Sequence, residues 1–169
     1  MKLTVVITIA FLGLFSRGFS QQNPDWQKWS GLIGEWVGEG SGTPGHGEGT
    51  FSFKLDLDQK ILVRKSHSEY PGRGNNSELV HNDLMIVYPD YSGNPAKAIY
   101  FDNEGHTISY TVTYPEKAIV LTGEKIPGVP VFRLTYTFPG TDIVNTKFEM
   151  SKDGEKFTTY IEGNSRKAN

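Results

Sequence analysis

The sequence predicts an all-β protein: an antiparallel up-and-down barrel of about ten strands, preceded by a short N-terminal helix. Three observations predict it. Apolar and polar residues alternate strictly over several segments, turn-forming clusters recur at hairpin spacing, and no helical period of useful length returns after Gly34. A meander of hairpin-linked strands closes most economically on itself, because closure removes its exposed edges.

The elements follow in order. Met1-Lys2 is a short positive start, Leu3 to Phe15 is almost unbroken apolar sequence, and Gly18-Phe19-Ser20 places small residues before Gln21. This is the pattern of a cleaved secretory signal peptide over residues 1–20, with a run too short for a membrane span of about 20 residues. The expectation is a mature domain of residues 21–169 that is exported to the periplasm or secreted, with no membrane span. Asn23-Pro24-Asp25 then reads as a helix start, since Asn caps free N–H groups, Pro suits the first helical position and Asp complements the helix dipole. Trp26, Trp29 and Ile33 share one face of a two-turn helix that Gly34 ends.

Thr50 to Leu57 alternates with Phe51, Phe53, Leu55 and Leu57 on one side, the period of a half-buried strand. The same signal returns at Ile108, Tyr110 and Val112, and at Phe132, Leu134, Tyr136 and Phe138. Shorter strands are expected at 35–40, 61–70, 79–88, 98–102, 118–123, 143–150 and 157–162, separated by turns such as Asn103-Glu104-Gly105, Pro139-Gly140 and Lys152-Asp153-Gly154. Of the longer loops at 42–49, 71–78, 89–95 and 125–130, the first three fall early enough in the chain to surround one mouth.

Composition excludes several functions. Without Lys2 and Arg17, 15 basic residues face 19 acidic ones, a net charge of −4, so nothing attracts nucleic acid. The absence of cysteine removes disulfides, thiolate metal sites and cysteine nucleophiles. No Gly-x-Ser-x-Gly elbow or phosphate loop is present, and no pair of carboxylates is singled out for glycoside hydrolysis. No catalytic residue is assigned.

Gly34-Glu35-Trp36-Val37-Gly38-Glu39-Gly40-Ser41-Gly42 opens the first strand. It resembles the Gly-x-Trp start of the lipocalin and fatty-acid-binding-protein (calycin) superfamily, and more closely the Gly-x-Trp-x-Gly-x-Gly opening of nitrobindin-like barrels. The resemblance covers most of residues 24–167 and implies an exported lipocalin-like barrel. It also implies a plug in which a basic residue near the chain's end packs over the tryptophan; Trp36 and Arg166 are the matching positions. Nitrobindin-like proteins hold haem through a histidine late in the barrel, whereas the histidines here are His46, His67, His81 and His106. The late ligand is missing, so haem does not carry over and no cofactor is expected.

Candidate site residues depend on one hairpin. If Asp58-Gln59 is a two-residue turn, Leu62, Arg64, Ser66, Ser68 and Tyr70 face inward, and Arg64 becomes a carboxylate receptor. If the loop has three residues, Val63, Lys65, His67 and Glu69 face inward instead. The second register buries slightly more apolar area at its base and is the favoured one. His67 with Glu69, and His81 with Asp83, are same-face pairs that would hold a metal only if the strand registers brought them together; no metal is assigned. Phe51, Phe53, Tyr110, Phe132, Tyr136, Phe148 and Tyr160 fall on inward faces. With Arg64 or His67 they form the expected lining for a small apolar or amphipathic ligand, in a barrel wide enough to hold one; the alternatives are an isomerase or hydrolase using the same cavity, a filled barrel with a structural or interaction role, and, disfavoured, haem held by a different histidine.

Overall fold

The computed structural model describes residues 23–40, 48–70 and 79–168. Ten strands form one closed antiparallel barrel: β1 (Gly34–Gly38), β2 (Glu48–Asp56), β3 (Ile61–Tyr70), β4 (Leu79–Tyr88), β5 (Lys97–Asp102), β6 (Thr107–Thr113), β7 (Ala118–Gly123), β8 (Val131–Thr137), β9 (Ile143–Ser151) and β10 (Thr158–Lys167). Each strand pairs with its neighbour in sequence, and β1 pairs with β10 to close the ring. The up-and-down order is what short turns between period-two segments dictate. No helix among the described residues is long and apolar enough to cross a membrane.

The expected two-turn helix is a single 3-10 turn, Gln27–Trp29. Asp25, just before the N-cap residue Trp26, accepts a hydrogen bond from the Gln27 N–H at 2.9 Å. A longer helix would point its aromatics along one stripe, but these side chains are tied to different loops. Trp26 Nε1 donates to Gln59 O at 2.8 Å, and Trp29 Nε1 donates to the Tyr114 hydroxyl at 2.8 Å, which in turn donates to Pro95 O. The turn is thus a stopper laid across the β2–β3, β4–β5 and β6–β7 connections.

The decisive hairpin takes neither expected loop length. Asp56 pairs with Ile61, and Leu57 to Lys60 form a four-residue loop in which Leu57, Asp58 and Gln59 all have positive φ, at 48°, 52° and 66°. Lys60 N–H closes the loop onto Asp56 O at 3.1 Å. Four has the parity of two, so Leu62 and Arg64 face inward, while Lys65, His67 and Glu69 are exposed. This corrects the favoured register. Pairing Leu57 at the base of the strand would have required three ionisable groups inside, whereas turning it out, 64% exposed, leaves them in water.

Alternate strand ends place the chain entering 41–47 and 71–78 at the open end, together with the β7–β8 connection. The 89–95 connection lies at the stoppered end, contrary to the expected grouping, because an up-and-down meander sends every second turn to the same side.

Candidate functional site

The interior is layered. Its lower half is solid: Trp29, Trp36, Phe53, Leu62, Met85, Val87, Leu121, Tyr136 and Val144 are all buried. Trp36 stacks on Phe51 with centroids 6.0 Å apart, and Tyr136 meets Phe53 edge-on at 5.6 Å. Trp36 is held in place by its Nε1, which donates to Leu32 O at 2.9 Å. Contacts of this kind stabilise by about 0.5–1.5 kcal/mol beyond their buried area.

Above this floor Arg64 forms an ion pair with Asp83, the two side chains being 10% and 6% exposed. The guanidinium carbon also lies 5.4 Å from the Phe51 centroid, so one ring touches both Arg64 and Tyr136. Three buried polar atoms here make no hydrogen bond within the protein: Arg64 Nε, the Tyr136 hydroxyl and Thr146 Oγ1. Tyr136 and Thr146 are directly opposed on β8 and β9. Burial pushes the Tyr136 phenol up to about 12 and raises Tyr110 and Tyr100 as well, so all three remain neutral O–H groups at physiological pH.

At the rim, His81 Nδ1 lies 2.9 Å from Glu104 Oε1 and its Nε2 lies 3.1 Å from the Tyr100 hydroxyl, which donates to Asp102 Oδ2 at 3.2 Å. Burial opposes ionisation of Asp102, but hydrogen bonds from the backbone and ring of His106 and from the Glu104 N–H outweigh it and hold the carboxyl below its usual range. The opposite wall is aromatic. Phe132 and Phe148 stack at 5.6 Å, and Tyr160 meets Phe148 edge-on at 6.3 Å.

The crystal structure of Rv2717c from M. tuberculosis is similar, with a TM-score of 0.55 at 12% identity over 85% of this chain and 97% of that one. The likeness is one of fold. No protein-family model matches the sequence, and no curated protein matches it.

Of the residues expected to line the interior, Phe51, Phe53, Arg64, Tyr110, Phe132, Tyr136 and Phe148 are inside and at least half-buried. Tyr160 is 51% exposed, because a register shift between Thr159 and Ile161 swings it onto the rim. His67 is on the outside, hydrogen-bonded to Asn82 Oδ1 at 2.7 Å and Glu69 Oε1 at 2.9 Å. It cannot join His81 in one site, since Ser68 is the residue opposite His81 and the two rings lie on opposite faces of the wall. No group of three metal-ligating side chains occurs among the described residues, and His46 lies outside them.

Trp36 is buried in the stoppered half, and the cation beside it is Lys167, whose Nζ is 5.8 Å from the ring centroid. Arg166 points outward and pairs with Glu39, because Arg166 opposes Val37 while Lys167 opposes Trp36. Sequence reasoning also missed Thr146, Tyr100 and the role of Asp83 as the partner of Arg64. The signal for Asp83 was its shared face with His81, which becomes informative only once the β3 register is known.

A groove of roughly 690 Å³ runs over the outer face of β1 to β5, between Val37, Lys65, His67, Leu84 and Phe101. It is separated from the interior by the sheet.

Proposed function

We propose that the protein is an exported, lipocalin-like carrier that binds a small apolar or amphipathic molecule in the upper half of its barrel. One observation carries this reading: an ion pair and three unpartnered polar atoms are buried directly above an aromatic floor. A buried ion pair is no more stabilising than apolar residues of the same volume, and buried donors without acceptors cost about 1–3 kcal/mol each. A barrel built only for stability would fill this layer with aliphatic side chains. In the proposed complex the polar head enters the layer by shifting side chains of the Arg64 level, and its acceptor takes the free donors of Arg64 and Tyr136. The tail lies along Phe132, Phe148 and Tyr160, where apolar burial supplies most of the affinity. Residues 1–20 are the export signal in this reading.

Native mass spectrometry and an absorbance spectrum of the mature protein, purified from an exported preparation, test the proposal. The expected result is a copurified lipid-like mass without a Soret band, or uptake of a neutral apolar dye that is weakened by Arg64→Met or Tyr136→Phe. A clean apo mass with no dye uptake would leave a filled, structural barrel, and a Soret band would establish haem.

A further inference from the structure

The guanidinium expected to receive a ligand carboxylate already has a carboxylate of its own. Arg64 is the one buried cation among the described residues, and Asp83 occupies it. Asp102 lies directly opposite Asp83 on β5 with its side chain 4% exposed, and its ring partner, His106, is at the surface. The layer therefore carries two carboxylates against one guanidinium, with the partly buried His81 ring 3.8 Å from Asp83 Oδ2. What it leaves unsatisfied is a set of donors, the Nε–H of a guanidinium whose charge Asp83 already balances and the Tyr136 and Thr146 hydroxyls.

We infer that this interior selects an uncharged hydrogen-bond-accepting head, such as an alcohol, ester or amide oxygen, and rejects a free carboxylate. The inference rests on the interior-binding reading above and specifies its ligand class. A neutral oxygen, with two lone pairs, can accept hydrogen bonds from such donors without adding charge. A carboxylate head adds a third negative charge to a water-poor layer, where like charges repel strongly, and it must compete with Asp83 for the same guanidinium. Selectivity of this kind comes as much from the repulsive element as from the attractive one.

The test is displacement of Nile red, an uncharged apolar dye, by 1-hexadecanol, methyl hexadecanoate and hexadecanoate, at about pH 8 where the free acid is ionised. The alcohol and the ester are expected to displace the dye at concentrations at least about tenfold lower than the carboxylate. In Asp83→Asn, which frees Arg64 and removes one negative charge, the carboxylate should gain at least about tenfold relative to the alcohol. Equal or tighter binding of hexadecanoate by the wild-type protein overturns the inference while leaving the carrier reading intact. An unchanged ranking in folded Asp83→Asn overturns its charge explanation. Failure of the dye itself to bind overturns the carrier reading and the inference with it. If Asp83→Asn does not fold, the wild-type comparison decides alone.

Discussion

The ammonium of Lys167 stands 5.8 Å from the centroid of Trp36, its Cα partner across the β1–β10 seam that closes the barrel. Arg166, one residue earlier, opposes Val37 and reaches Glu39 on the outer surface. Lys167→Ala should therefore lower stability by about 0.5–1 kcal/mol and alter Trp36 fluorescence. Arg166→Ala should change stability by no more than about 0.5 kcal/mol. Urea unfolding of the two variants separates the roles, and a larger loss for Arg166→Ala would reverse them.

Breaking the interior ion pair from one side leaves an uncompensated buried charge. Arg64→Met should cost about 3–5 kcal/mol, whereas Arg64→Met with Asp83→Leu should return most of that loss. Chemical denaturation of the single and double variants measures the coupling. Additive losses would mean that the two side chains do not stabilise one another.

The hydroxyl of Tyr136 is buried and makes no hydrogen bond within the protein. Removing it in Tyr136→Phe takes away an unsatisfied group, so the apo protein should gain up to about 1 kcal/mol or remain unchanged. If the proposed carrier function holds, uptake of a neutral apolar dye should fall in the same variant. A clear loss of apo stability would show that the hydroxyl has a partner.

Asp153 organises the β9–β10 turn. Its Oδ1 accepts the N–H groups of Lys156 at 2.9 Å and Glu155 at 2.8 Å and the Ser151 hydroxyl at 2.8 Å, which hold its pKa down to about 2. Because the folded value lies below the unfolded one, this stabilisation is complete above the ordinary carboxylate value of about 4 and is lost as pH falls from there to about 2. Asp153→Asn should flatten the stability profile in that window. An acid limb identical to that of the wild-type protein would assign the transition to another carboxylate.

Gly49 lies where β2 crosses close to β3. A Cβ there would stand 2.8 Å from Ser68 Oγ and 3.1 Å from the His67 carbonyl oxygen. Gly49→Ala should destabilise by about 1–3 kcal/mol. Adding Ser68→Gly should recover only part of the loss, because the carbonyl remains. Full recovery would locate the whole conflict in the serine.

Strand existence and order were legible in the sequence because both depend on local signals. The period-two alternation of Phe51 and Phe53 or of Leu134 and Tyr136 reports a half-buried strand wherever it lies, and hairpin-length turns leave neighbouring strands little choice but to pair. The bounds of β3, β4 and β7 were read directly. Part of the lower barrel, Phe53 and Tyr136, was legible for the same reason, since a buried face must be apolar, whereas Leu62 faced inward only once the hairpin was known.

The polar layer was decided by the tertiary structure. A single residue of loop length reverses the faces of a strand, and Leu57 leaves its alternation to enter a left-handed loop, so inward Arg64 and outward His67 could not be read locally. The same parity governs the far end of the chain, where the closing seam places Lys167 rather than Arg166 over Trp36. The pairing of Arg64 with Asp83 joins strands through a register that no local signal carries, because a short-range pattern reports which residues share a face but not which residue stands opposite them.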